Sequence, residues 1–121
     1  MIYEKELSDK IIDCAFTVHK ILGYGFLEKV YENSLRIELE EHGLEVKQQA
    51  EIDVFYKKYN VGNYRADLFV EDKIVLELKA EKELNKEHIA QLINYLKASK
   101  IKVGYLINFG RHKLEFKRII F

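Results

Sequence analysis

The sequence predicts a single α/β domain with a mixed β-sheet flanked by helices, and three observations support this fold class. A chain of 121 residues is the size of one domain with its own hydrophobic core. Segments with helical periodicity alternate with segments in which every second residue is apolar. The chain has no proline and no low-complexity tract, so no linker divides it. We therefore predict one domain over residues 1–121, with its elements in the order α, α, β, β, β, α, β, β.

Two helical patterns open the chain. The first covers residues 7–22, with Ser8 placed to cap its N-terminus. The second runs from about residue 27 to 42, and Gly43 suits the position just beyond its C-terminus. In the second helix, the residues predicted to face the core are Val30, Tyr31, Leu35 and Leu39.

Alternating patterns then predict three antiparallel strands. Residues 45–56 form the first strand, and residues 57–62 read as a turn in which Asn60 and Gly62 take unusual backbone angles. Residues 64–80 form a hairpin of two further strands. The prediction is a three-stranded antiparallel meander.

The rest of the chain predicts a helix and two strands. The helix covers residues 85–99 and has Asn85 as its cap. The strand over residues 102–108 is reached from the hairpin through this helix, so it is predicted to pair in parallel by a right-handed crossover. A last strand over residues 113–120 follows a turn.

The predicted hairpin carries three charged side chains on one face. If residues 71–73 form its loop, Asp67 lies directly opposite Glu77. Lys79 follows two positions later, and alternate residues of a strand share a face. Opposed carboxylates with Cβ atoms about 5 Å apart repel each other and weaken a sheet, whereas Mg²⁺ can bind between them. The alternative is a solvated hairpin face with ordinary charges.

Composition and charge exclude several classes of protein. Every apolar run is broken by charge, so we expect no signal peptide and no membrane span. The one cysteine, Cys14, lies in a helical pattern and reads as a small buried hydrophobe. We expect a cytoplasmic protein. No Gly-rich phosphate loop is present, and no Cys/His spacing suggests zinc.

Charge is unevenly distributed along the chain. The formal net charge is zero, but from Lys100 onward six basic residues face one acidic residue. A basic edge beside an acidic metal site would suit a polyanionic substrate. A solvated terminal hairpin would explain the same charges equally well.

The order of these motifs resembles the PD-(D/E)XK nuclease superfamily. Asp67 and then Glu77-Leu78-Lys79, followed by a helix and a strand, match its α-β-β-β-α-β core. Residues 25–31 match the GxxExxY signature of small bacterial and archaeal proteins. The further matching blocks are Val18-His19-Lys20, Tyr64-Arg65-Ala66-Asp67, residues 91–96 and residues 107–110.

The resemblance implies a role for each matching charged residue. Asp67 and Glu77 would be the metal-binding carboxylates, and Lys79 would be the catalytic lysine. Glu28 would complete the metal site, as in the RecB-like exonuclease branch of the superfamily. The chain departs from the family pattern at Tyr24, where the family has proline, and this change affects the stiffness of the turn.

Four further candidates come from the same blocks. Gln91 and Tyr95 match the QxxxY motif of the exonuclease branch, in which the glutamine lies beside the active site. His19 lies in the block Val18-His19-Lys20, and Arg65 precedes Asp67 by two residues.

The implied activity is hydrolysis of phosphodiester bonds in nucleic acid, with Mg²⁺ or Mn²⁺ as cofactor. DNA is favoured over RNA, so the expected enzyme is a Mg²⁺-dependent deoxyribonuclease. The alternative is a non-catalytic or partner-dependent module that keeps the nuclease scaffold and has a nucleic-acid-binding or regulatory role. Because one small domain offers few phosphate contacts, a homodimer or a protein partner is expected.

Overall fold

The fold is known from a computed structural model, which describes residues 3–121. Three helices and five strands form it. In chain order they are α1 (Lys5–Leu22), α2 (Glu28–Glu41), β1 (Val46–Tyr56), β2 (Tyr59–Val70), β3 (Ile74–Lys79), α3 (Lys86–Ser99), β4 (Val103–Asn108) and β5 (Glu115–Ile120). The predicted order of elements is confirmed.

The five strands form one mixed sheet in the order β1-β2-β3-β4-β5. β1, β2 and β3 are antiparallel neighbours, β3 and β4 are parallel, and β5 is antiparallel to β4. This confirms the predicted meander and the predicted parallel pairing of the strand that follows α3. It also confirms the predicted fold class of a mixed α/β sheet flanked by helices.

The helices cover both faces of the sheet, so β3 is buried on both sides. Residues such as Ile74 and Leu76 join the core formed with α1 and α2. Val75 points the other way and packs with Leu92 and Leu96 of α3. Glu77 has the same parity as Val75, so its carboxylate belongs to a covered face. The alternative of a solvated hairpin face therefore fails at Glu77.

The predicted start of the first helix is wrong. The helix begins at Lys5 with Glu4 in the N-cap position, and the Ser8 amide already donates to the Glu4 carbonyl. The ion pair of Lys5 with Asp9, at 2.6 Å, supports this additional turn. Ser8 is instead a buried residue inside the helix.

Two other predictions fail in the second helix and in the first turn. Val30 is exposed, not inward-facing. The turn between β1 and β2 is two residues long, and the positive φ falls at Lys57, not at Asn60 or Gly62. A bulge at Val54/Phe55 shifts the register of the hairpin and allows this short turn.

Asn85 caps α3 as predicted. Its side chain accepts a hydrogen bond from the backbone amide of His88. In return, the backbone amide of Asn85 donates a hydrogen bond to His88 Nδ1. Gly43, with φ of 79°, ends α2 as predicted.

Candidate active site

Asp67 and Glu77 lie where the β2–β3 ladder gives way to side-chain hydrogen bonds. Backbone pairing runs from Val70↔Ile74 to Leu68↔Leu76, and its register continues to Asp67 opposite Glu77. There the Asp67 amide donates to Glu77 Oε1 at 3.2 Å. The Leu78 amide donates to Asp67 Oδ2 at 2.8 Å. Each carboxylate is thus held by the backbone of the opposite strand.

The pKa of the Glu77 carboxyl is strongly raised in the metal-free protein. Its residue is 4% exposed, and burial, followed by the negative charge of Asp67, raises its pKa to about 9. The pKa of Asp67 is also raised, chiefly by burial and further by the charge of Glu32. Burial and the neighbouring negative charges therefore both disfavour the charged forms of these two carboxyl groups.

Lys79 and Glu28 complete this group of charges. Lys79 is half-buried and lies on the same strand face as Glu77, and its positive charge opposes the rise in the pKa values of Glu77, Asp67 and Glu28. Glu28 is the first residue of α2. Burial raises its pKa, and the charge of Asp67 raises it further. The first turn of α2 therefore reaches the carboxylates of the hairpin.

Sequence reasoning missed two residues that contact this group, Glu32 and Gln49. Glu32 is 3% exposed, and both its carboxylate oxygens accept from Gln49 Nε2, at 3.0 and 3.1 Å. The same Nε2 lies 3.3 Å from Asp67 Oδ1. Burial raises the pKa of Glu32, but hydrogen bonds from Lys29, Gln48 and Gln49 outweigh burial and leave the pKa below its usual range.

Weak sequence signals pointed to both residues. Glu32 lies one helical turn after Glu28, and residues four apart share a helix face. Gln48 and Gln49 interrupt the apolar alternation of β1 between Val46 and Ile52. Neither signal identifies which buried group the side chain meets.

The backbone at Gln49 is strained. Its φ is 54° in the middle of β1, a left-handed conformation that costs a non-glycine residue on the order of 1–2 kcal/mol. The register places Gln49 opposite Asp67. The hydrogen bonds of its side chain to Glu32 and Asp67 are what offset this strain.

We expect glycine at position 49 to be tolerated better than alanine. Both substitutions remove the hydrogen bonds, but only glycine relieves the left-handed backbone. Gln49→Gly should therefore be more stable than Gln49→Ala by about 1 kcal/mol, the reverse of the usual order in a strand. Urea denaturation of the two variants measures the difference, and a more stable alanine variant would show that the backbone at residue 49 is unstrained.

α3 buries Tyr95 beside Ala66 and Val75, which are chain neighbours of the carboxylate residues. Tyr95 is 5% exposed, and burial, with the charges of Glu77 and Asp67, raises its pKa to about 12. Gln91 Nε2 donates to Tyr95 Oη at 3.4 Å, while Gln91 itself is exposed. The two residues of the predicted QxxxY motif therefore contact each other, and the tyrosine is the one beside the carboxylates.

His19 and Arg65 make contacts of other kinds. His19 Nε2 donates to the Arg111 carbonyl at 2.8 Å, so this ring nitrogen carries the proton. The contact ties α1 to the turn after β4. Arg65 pairs with Glu51 on the neighbouring strand at 3.0 Å, and both side chains are exposed. Exposed pairs of this kind contribute about 0–1 kcal/mol.

Asn108 fixes the segment that follows Lys79. It is fully buried at the end of β4, opposite Lys79. Its Oδ1 accepts from the amides of Glu81 and Gly110, at 2.9 and 3.0 Å. Its Nδ2 donates to the Glu81 carbonyl at 3.0 Å and to Glu115 Oε1 at 3.3 Å. Every polar atom of this buried side chain is thus satisfied.

A second cluster of ligand-type side chains lies at the far end of α2. Within residues 3–121, Cys14, Glu38 and His42 form the group of three whose ligand atoms all lie within 4.8 Å of one another. Cys14 is buried as predicted, and burial raises the pKa of its thiol to about 11. Glu38 lies ten positions after Glu28, about 15 Å along the helix at 1.5 Å per residue. The cluster is separate from the hairpin carboxylates.

The mixed sheet, its flanking helices and the order of its elements define a fold of the PD-(D/E)XK nuclease type. A family model described as the PD-(D/E)XK nuclease superfamily matches residues 5–119. The chain belongs to this superfamily. Its nucleases generally use divalent metal ions.

Two solved structures share the fold. SSO0001 is 21% identical, with a TM-score of 0.59, and the match covers 98% of this chain and 60% of that one. An alkaline exonuclease, LHK-Exo from Laribacter hongkongensis, is 11% identical with a TM-score of 0.56, and the match covers 99% of this chain and 72% of that one. This chain thus spans 60% of the length of SSO0001. No curated protein matches it.

None of the helices in residues 3–121 has the length and apolar character needed to cross a membrane.

Proposed function

We propose that this protein is a metal-dependent nuclease that hydrolyses phosphodiester bonds of nucleic acid, with DNA as the favoured substrate. Asp67, Glu77 and Lys79 are the proposed active site, with Glu28 and Gln91 in supporting roles. One observation carries the proposal: a buried glutamate lies directly opposite a second carboxylate, with a lysine on the same strand face. We also propose that the chain is one of the GxxExxY proteins, because residues 25–31 match their signature.

The donor chemistry fits Mg²⁺ or Mn²⁺. Both ions prefer carboxylate oxygens, and Asp67, Glu77 and Glu28 supply them. Each of these carboxyl groups has a raised pKa in the protein, which means that the site favours added positive charge. When bound, a divalent cation lowers the pKa of a coordinated water and offsets charge on the scissile phosphate.

The side chains of the protein have distinct tasks in this proposal. Asp67 and Glu77 would hold the cation, and Glu28, in the first turn of α2, would supply a third carboxylate. Lys79 keeps an ammonium group beside the carboxylates, where it can orient the attacking water or stabilise charge on the phosphate in the transition state. Tyr95 is buried in the α3 core cluster together with Val75, which shares the strand face of Glu77.

One observation favours the alternative, a module that binds nucleic acid or regulates through a partner. Within residues 3–121, the carboxylate oxygens of Glu28, Asp67 and Glu77 do not all lie within 4.8 Å of one another. A catalytic arrangement then requires the third carboxylate to move in with substrate or partner. The alternative is an outcome of the experiment that follows.

Cleavage of labelled single-stranded and duplex DNA and RNA, with Mg²⁺ or with Mn²⁺, tests the proposal. We expect metal-dependent cutting that EDTA abolishes. Asp67→Asn keeps an acceptor for the Leu78 amide but removes the charge, and Lys79→Ala removes the ammonium. Each should lower the initial rate by on the order of 10²-fold or more.

Asp53→Asn is the matched control, because Asp53 is an exposed β1 carboxylate that pairs with Asn63 at 3.1 Å. It should leave the rate unchanged. Metal-dependent cutting that survives both active-site substitutions would reject this site. A wild-type protein that binds metal and nucleic acid but cuts none of the substrates would favour the binding module.

A further inference from the structure

A groove of about 530 Å³ lies between the β1–β2 hairpin and α3. The hairpin extends well past β3, since β1 and β2 have 11 and 12 residues while β3 has 6. Its outer part therefore has no strand beside it and overhangs the helix. The side chains used in the argument are Val54, Phe55, Lys57, Tyr64, Lys97 and Lys100.

Three lysines give the groove a positive charge. Lys57 comes from the hairpin turn, and Lys97 and Lys100 come from the end of α3. All three are exposed. Among residues 3–121, no carboxylate lies within 4.0 Å of their ammonium groups, although other lysines of the chain form such pairs. Their charges remain available to an anionic ligand.

Two aromatic side chains line the same groove. Phe55 of β1 lines the groove next to the point at which the register between β1 and β2 shifts, and Tyr64 lines it from β2. Phe55 is 61% exposed and Tyr64 is 41% exposed. Large exposed aromatic rings beside unpaired lysines form the combination that binds unpaired nucleic acid, in which bases stack on rings and phosphates meet ammonium groups.

The groove leads to the proposed active site. The ring of Tyr64 packs edge-to-face on Tyr95, with centroids 5.2 Å apart. Tyr95 in turn packs in one core cluster with Ala66, the residue before Asp67. A strand that occupies the groove would continue past Tyr64 towards the carboxylates of the proposed active site.

We infer that this groove, which we call the hairpin–α3 groove, binds a single-stranded segment of DNA and feeds it to the active site. This inference rests on the proposed function and names its substrate form. The volume of the groove is that of a small-molecule site, so the groove accepts on the order of one or two nucleotides and not a duplex. Phe55 offers a ring face that paired and stacked bases cannot use.

Binding in EDTA tests the inference without requiring cleavage. The probe is a fluorescein-labelled 12-nucleotide mixed-sequence DNA, measured by anisotropy alongside its duplex and the RNA of the same sequence. The variant Lys57→Ala/Lys97→Ala/Lys100→Asn removes the three charges, and asparagine suits Lys100 because its φ is 62°. We expect roughly ten-fold weaker binding of the single strand, and a salt slope that falls by about 2, at about 0.7 per lost phosphate contact.

The control removes three exposed lysines elsewhere, in Lys10→Ala/Lys20→Ala/Lys117→Ala. This control variant lowers the net charge by the same three units as the groove variant. It should therefore show only the small loss of binding affinity that comes from non-specific electrostatics. Phe55→Ser should weaken binding of the single strand, while Tyr59→Ser, at a 70% exposed ring outside the groove, should not.

The outcomes separate this inference from the proposed function. Equal losses in the two triple variants, tighter binding of the duplex, or tighter binding of the RNA would each overturn the groove as a site for single-stranded DNA, even if the enzyme cuts DNA. Selective loss in the groove variants would support it, even if Asp67→Asn shows that cleavage resides elsewhere.

Discussion

Replacing Glu77 with glutamine is expected to stabilise the metal-free protein at neutral and alkaline pH. Glutamine matches the glutamate in shape and keeps an oxygen to accept from the Asp67 amide. It cannot ionise, whereas burial and the charge of Asp67 both oppose ionisation of the glutamate in the folded protein. At pH 8 we expect a gain of at least about 2 kcal/mol in the free energy of unfolding, since each pKa unit corresponds to about 1.4 kcal/mol.

The sign follows from the raised pKa of Glu77. The carboxyl has an ordinary pKa of 4.5 in the unfolded chain and a pKa of about 9 in the folded protein. Between these values the folded state keeps a proton that the unfolded state has lost, so stability falls as pH rises through this window. The slope contributed by Glu77 is at most about 1.4 kcal/mol per pH unit, and it disappears in the variant.

Urea denaturation from pH 5 to pH 9 in EDTA measures this effect. The wild type and Glu77→Gln should have similar stabilities near pH 5 and diverge as pH rises. Glu51→Gln is the control, because Glu51 forms an exposed pair with Arg65 and its loss should change stability by less than about 1 kcal/mol. A Glu77→Gln protein that is destabilised across the whole range would instead indicate a structural ion pair at Glu77.

Gly110→Ala is expected to be among the most destabilising single substitutions in the chain. A Cβ at Gly110 would lie less than 3.0 Å from backbone atoms of Ala80 and Glu81. Backbone cannot move aside as the end of a flexible side chain can. The contact would also disturb the hydrogen bonds by which Asn108 holds Glu81 and Gly110. Overpacking of this kind costs about 1–3 kcal/mol, and the lost hydrogen bonds add about 1 kcal/mol or more.

Thermal denaturation compares this variant with Gly62→Ala. An added Cβ at Gly62 meets nothing within 4 Å, so that variant should unfold near the wild-type temperature. If Gly110→Ala unfolds at the same temperature as Gly62→Ala, the β4–β5 turn does not lie as close to the segment after Lys79 as described above. Because that segment begins beside Lys79, Gly110→Ala is also expected to displace the lysine from the carboxylates.

Local patterns predicted much of the fold and part of the site. Alternation and a three-residue loop were enough to place Asp67 opposite Glu77, because hairpin register depends on residues close in sequence. The same reasoning failed at Ser8, where a turn of helix formed upstream of the favoured cap residue. It also failed at the β1–β2 turn, because the bulge at Val54/Phe55 depends on how two strands pair, which neither strand encodes alone.

Contacts across the sheet could not be predicted in this way. Gln49 reaches both Glu32 and Asp67 from a backbone conformation that its residue type does not favour. Asn108 binds Glu81 from the next strand. Such contacts join residues 17 to 27 positions apart, and no periodicity specifies that separation.

The sequence by itself determined the order of the elements, the mixed sheet and the shared strand face of Asp67, Glu77 and Lys79, because each follows from local alternation and loop length. Tertiary structure alone decided that Glu77 is buried with a raised pKa and that Glu28 adds its charge to that effect. It also decided that Gln49 joins Glu32 to Asp67. The physical reason is that burial and charge–charge distances depend on how α2 and α3 pack across the sheet. That packing arises from the whole core and not from any one segment.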